Sequence, residues 1–178
     1  MSSQTVAEIY AANDRIREKL IETLATLTEH QVSFLPDGEK WTVAQIVEHL
    51  SIVESGIVRI CAKLLSKAEK DEHRSDGSVT ISDEFAAKGV EVAAVKLEAP
   101  EMVHPVQGKT ISQSLASMEE NREALNELRP LFEEFDCTAR KFPHPYFGDL
   151  SAGEWLVLIG GHKARHSKQI KNLIGKIG

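Results

Sequence analysis

Residues 151–177 read SAGEWLVLIGGHKARHSKQIKNLIGKI. Apolar side chains recur at Trp155, Leu158, Ile159, Ile170, Leu173, Ile174 and Ile177, the spacing of threes and fours that predicts a helix with one buried face. Ser151 followed by Glu154 is a capping box, in which each side chain satisfies a backbone N–H that the first helical turn leaves free. Two polar residues interrupt the stripe. His162 and His166 fall on the line from Ile159 to Ile170, so this helix aims two imidazoles at the core it packs against.

Three more long helices follow from the same signals. Thr110 with Gln113 opens a third helix whose stripe is Ile111, Leu115, Met118, Leu125, Leu128, Phe132 and Phe135. Thr42 with Gln45 opens a second, carrying Val43, Ile46, Val47, Leu50, Val53, Ile57, Ile60 and Leu64 before a polar run over 67–77. The first spans about 5–28 through Val6, Ile9, Ile16, Leu20, Leu24 and Leu27, and a turn at 34–38 follows it. Strand signals are weak. The links between helices 1 and 2 and between 3 and 4 are short. The connection over 77–109 is long, with a short helix near 82–95 ended by Pro100 and Pro105. A helix of ~24 residues is ~36 Å long, and this connection can recross that length. The expected architecture is all-α, a four-helix bundle of up-down-down-up topology with one crossover, a single domain over residues 1–178.

Composition narrows the function classes. The chain has 178 residues, 42% hydrophobic and 27% charged, as one ordinary globular domain does. Lys and Arg number 21 against 27 Asp and Glu, and the net charge of −6 argues against a nucleic-acid partner. No apolar run approaches the ~20 residues that span a bilayer. The opening Met-Ser-Ser-Gln-Thr lacks the regions of a signal peptide. Cys61 and Cys137 alone suggest a reducing cytoplasm and structural thiols. Seven histidines stand out.

Side chains four apart on a helix stack on one face, so His162 and His166 can share one metal ion or hydrogen-bond within the core. His49, at the edge of the second helix's apolar face, either packs there or adds a third nitrogen. Three nitrogens with an open position are the pattern of a catalytic rather than a structural zinc site. Asn13 and Arg122 lie on the stripes of the first and third helices. They are candidates for holding a substrate, Arg122 by a bidentate grip on a carboxylate or phosphate, or else a solvated and a snorkelling residue. Glu48 and Glu54 flank the region and could orient a ligand imidazole through its second nitrogen. Arg165 is expected to pair with a carboxylate. His30, His73, His104 and His144 are expected in loops, with His104 able to approach the metal end and His144 at the far end.

Trp41-Thr42-Val43-Ala44-Gln45-Ile46-Val47-Glu48-His49-Leu50 resembles the second-helix motif of the DinB-like superfamily of bacterial metalloproteins. Gly148-Asp149-Leu150-Ser151-Ala152-Gly153-Glu154-Trp155 through His162 and His166 resembles its fourth-helix motif, and Ala99-Pro100-Glu101, Pro105 and Arg122 match its approach to the third helix. The resemblance covers nearly the whole chain. It implies the up-down-down-up bundle, a divalent-metal site with His49, His162 and His166 as ligands, zinc or nickel (or iron) as the ion, and a homodimer. It also implies a small-molecule substrate: some relatives are transferases that use a low-molecular-weight thiol such as bacillithiol or mycothiol. Others are described as metal-dependent hydrolases. The expected function is therefore a metal-dependent thiol transferase, with a hydrolase or a non-catalytic metal-binding bundle as alternatives.

Overall fold

The computed structural model describes residues 2–177. Its frame is four long helices: α1 (Val6–Ala25), α3 (Val43–Lys70), α5 (Ile111–Glu134) and α6 (Ala152–Ile177). Each opens on a capping side chain. Thr42 with Gln45 and Thr110 with Gln113 form complete capping boxes, and so does Thr5 with Glu8. Ser151 and Glu154 exchange the same pair of bonds at 3.0 and 3.2 Å.

Two apolar clusters report the topology. One gathers Val6 and Tyr10 of α1, Cys61 and Leu65 of α3, Leu125 and Phe132 of α5, and Ala152 and Leu156 of α6. The other gathers Leu20 and Leu24, Val43 and Ile46, Met118, and Ile170 and Leu173. The starts of α1 and α6 thus share an end of the bundle with the finishes of α3 and α5. That arrangement is up-down-down-up. Side-chain contacts agree, since Tyr10 reaches Leu125 while Arg17 reaches Glu119, which runs α1 antiparallel to α5. Close approach of α1 and α6 depends on Gly160, where a Cβ would lie 2.3 Å from Asn13 Oδ1.

Shorter elements depart from the expectation. The first helix stops at Ala25, and Thr28 instead caps a further short helix, α2 (Glu29–Ser33), which carries His30. The crossover holds α4 (Asp83–Ala94), within a residue of the expected short helix, and a 3-10 turn at Glu101–Val103. Two small antiparallel sheets were not expected. β1 (Ser2–Thr5) pairs with β2 (Ser78–Ile81), and β3 (Lys141–His144) pairs with β4 (Gly148–Ser151). Four-residue strands are too short for alternation to show, and β1 is exposed throughout, so its extended state comes from the partner strand rather than from its own pattern. The β3–β4 hairpin closes through Gly148 at φ +74°, a conformation glycine adopts without strain. Among the described residues no helix is long and apolar enough to cross a membrane.

Candidate metal centre

Three imidazoles converge between α3 and α6. His49 Nε2 lies 3.3 Å from His162 Nε2, which lies 3.1 Å from His166 Nε2. One ring nitrogen from each falls within 4.8 Å of the other two. Two of the rings are oriented from behind. His49 Nδ1 is 2.8 Å from the Val103 carbonyl, and His166 Nδ1 is 2.7 Å from Gln169 Oε1. A carbonyl oxygen only accepts, so Nδ1 of His49 carries the proton and its Nε2 turns a lone pair toward the cluster. Gln169 Oε1 does the same for His166. Trp41 packs on His49 with ring centroids 4.9 Å apart and closes that side of the site.

Burial keeps these rings neutral. It pushes His49 below its ordinary value, against the Val103 hydrogen bond and aided by His104. His162 lies well below, through burial first and then the neighbouring His166 and His49. His166 falls to about 4 for the same reasons, with Gln169 working the other way. A neutral imidazole is the form that ligates a metal, so three such nitrogens fit a divalent ion of borderline softness.

The other candidates have different partners. Asn13 is buried and donates to the Leu156 carbonyl at 3.0 Å. Arg122 is held by Asp14 at 2.8 Å and by Glu119. A substrate role for either would require it to leave those partners. Glu48 and Glu54 do not orient a ligand ring. Glu48 accepts from the backbone of Gln107 and Lys109, pinning the approach to α5. Glu54 forms a buried pair with Lys163. The orienting groups are the Val103 carbonyl, which no sequence pattern marks, and Gln169, readable as the polar residue one turn beyond His166. Among the described residues Arg165 pairs with no carboxylate; its guanidinium donates to the carbonyl of Val92, which also accepts from the Val95 N–H, and to the carbonyl of Val95, at the end of α4. His104 bonds to the Ala99 carbonyl and stays outside the trio. His144 lies on β3 rather than in a loop, packed against Trp155 with ring centroids 5.2 Å apart. Cys61 and Cys137 are free and buried, and burial pushes the Cys137 thiol up to about 11, so neither is a ready thiolate. A cleft of about 270 Å³ between α3 and α5, lined by Ser51, Arg59, Lys109 and Asn121 among others, includes none of the three histidines.

Residues 12–170 match the DinB superfamily model. The chain belongs to the DinB superfamily. It is also similar to the uncharacterized protein YuaE of Bacillus subtilis (strain 168), at 27% identity over 158 residues, covering 86% of this chain and 90% of that protein. Among solved structures it resembles TT2238, described as a four-helix bundle protein, with a TM-score of 0.63 and 21% identity over 94% of this chain and 99% of that one. The latter likeness supports the fold alone.

Proposed function

We propose that this DinB superfamily protein is a metal-dependent transferase that joins a low-molecular-weight thiol to an electrophilic small molecule at a divalent ion held by His49, His162 and His166. The convergence of three neutral ring nitrogens within 4.8 Å carries this reading. A divalent ion bound there, zinc or nickel by donor chemistry, supplies the Lewis acidity that keeps a thiol in its nucleophilic thiolate form.

The chain's own residues do the rest. Val103 and Gln169 hold two of the rings in the ligating tautomer, and Trp41 shields His49 from water. In the transfer the sulfur forms a bond to the electrophilic carbon, the leaving group departs with its bonding pair, and the thiol proton passes to solvent. A hydrolase would need a base to take a proton from water. Both nearby carboxylates are engaged, Glu48 by two backbone N–H groups and Glu54 by Lys163, which favours the thiol over water as nucleophile. We read the protein as cytoplasmic, where its free cysteines stay reduced, and as a homodimer on the family resemblance.

Metal-loaded protein incubated with an electrophilic chloroarene, with and without a panel of bacillithiol, mycothiol, glutathione and cysteine, tests this. The expected result is chloride release that needs both thiol and metal and is lost in His166→Ala. Release that no thiol accelerates contradicts the transferase.

A further inference from the structure

Glu48 and His49 are consecutive on α3, and the segment over 101–109 is hydrogen-bonded to both. The Glu48 carboxylate is fully buried. Its partners are two backbone N–H groups, Gln107 to Oε1 at 2.7 Å and Lys109 to Oε2 at 3.1 Å. Gly108 lies between them at φ +65°. This left-handed turn lets N–H groups two residues apart converge on one carboxylate, as in the backbone nests that bind anions. Among the described residues, the third hydrogen bond between this segment and α3 is the one from His49 Nδ1 to the Val103 carbonyl at 2.8 Å. The chain between the two anchors is stiff. Buried Pro105 fixes its own φ there. Residues 99–104 fold on themselves: the Val103 N–H donates to the Pro100 carbonyl at 3.0 Å, and His104 Nε2 to the Ala99 carbonyl at 2.9 Å. His104 in turn packs on Trp41 with ring centroids 5.8 Å apart, and Trp41 covers His49.

Resting on the metal-centre reading above, we infer that Glu48 is a positioning residue of that centre, acting through the Gln107-Gly108-Lys109 turn. Glu48 touches no imidazole. Its carboxylate holds the turn, and the turn holds the Val103 carbonyl where it keeps the His49 proton on Nδ1 and leaves Nε2 free for the ion. The tautomer of an imidazole follows the hydrogen bond made by its other nitrogen, so releasing the segment releases the choice. A carboxylate suits the place because both of its oxygens accept. A glutamine would turn an NH2 group toward one of the two N–H donors.

Glu48→Gln tests the carboxylate, and two variants at Gly108 test the turn without entering the core. Gly108 is exposed and a Cβ there would meet nothing within 4 Å, so the backbone conformation alone responds. Valine resists a positive φ, whereas asparagine adopts one readily. The readouts are long-range proton–nitrogen spectra of the metal-free protein and zinc affinity by competition with a chromophoric chelator. In Glu48→Gln and Gly108→Val the His49 proton should spread from Nδ1 to Nε2, while His166, held by Gln169, keeps its own on Nδ1. Zinc affinity should fall about 10–100-fold in both and stay within about threefold of wild type in Gly108→Asn. Should Glu48→Gln fail to fold, the Gly108 pair decides. His49 still protonated on Nδ1 in Gly108→Val, with zinc affinity unchanged, would overturn the inference. Gly108→Asn as impaired as Gly108→Val would do the same. A wild type that takes up no zinc would instead overturn the metal-centre reading, while the tautomers of the metal-free protein still decide whether Glu48 sets the ring.

Discussion

Glu54 of α3 and Lys163 of α6 meet at 2.5 Å in the interior, each side chain only 5% exposed. Lys163 directly follows His162, and Glu54 lies five residues beyond His49. The pair therefore joins the two helices that supply the metal-site rings. Burial raises the Glu54 carboxyl above its ordinary value, and Lys163 opposes that shift. Removing one partner strands a buried charge, which costs about 3–5 kcal/mol, whereas replacing both with apolar residues of similar volume is often neutral. Glu54→Ala should lose about that much in urea unfolding, and Glu54→Leu/Lys163→Met much less. Equal losses would show that packing rather than charge governs the site.

Acid should unfold the metal-free protein from its histidines. His144 and His166 sit near 4, below their ordinary 6.5, and His49 and His162 are also lowered. The folded chain thus refuses protons that the unfolded chain accepts. Stability is complete above about pH 6.5 and falls as pH drops from there toward 4. Urea midpoints in chelator at pH 7.5, 6 and 5 should decline steadily. A flat profile over that range would contradict the neutral cluster.

Much of this was legible beforehand. Capping pairs at Thr42, Thr110 and Ser151 located three helix starts, and the apolar stripes placed His49, His162 and His166 on inward faces. On α3 the expected stripe holds at Leu50, Ile57 and Leu64, with Val53 and Ile60 half-buried against the core, while Glu54 and Cys61 complete the buried line. Glu54 and Lys163 were readable as polar residues four after Leu50 and Ile159, but a charge on a helix is ordinarily solvated. The Val103 carbonyl left no trace, because every residue has one. The β3–β4 hairpin leaves no mark in the sequence, because four-residue strands are too short to alternate, and the packing of His144 on Trp155 is hidden with it.

Orientation of the rings should matter to metal affinity. Gln169→Ala frees His166 Nδ1 from its acceptor at 2.7 Å without touching a ligand atom. Loss of such a partner lowers metal affinity by about 10–100-fold. Competition against a chromophoric chelator measures it, and an unchanged affinity would remove Gln169 from the account.

Gly160 should tolerate no side chain while Asn13 stays in place. A Cβ there would lie 2.3 Å from Asn13 Oδ1 and 3.2 Å from Ile16 Cδ1. Gly160→Ala should cost about 1–3 kcal/mol by overpacking. In the Asn13→Ala background the cost should shrink, which a double-mutant cycle of unfolding energies detects. Additive losses would place the strain elsewhere.

The metal centre itself is tested most directly by elemental analysis of protein purified without a histidine tag, beside His166→Ala prepared in the same way. The arrangement of His49, His162 and His166 predicts about one divalent ion per chain in the wild type and near-complete loss in the variant. Equal metal content in the two proteins would contradict it.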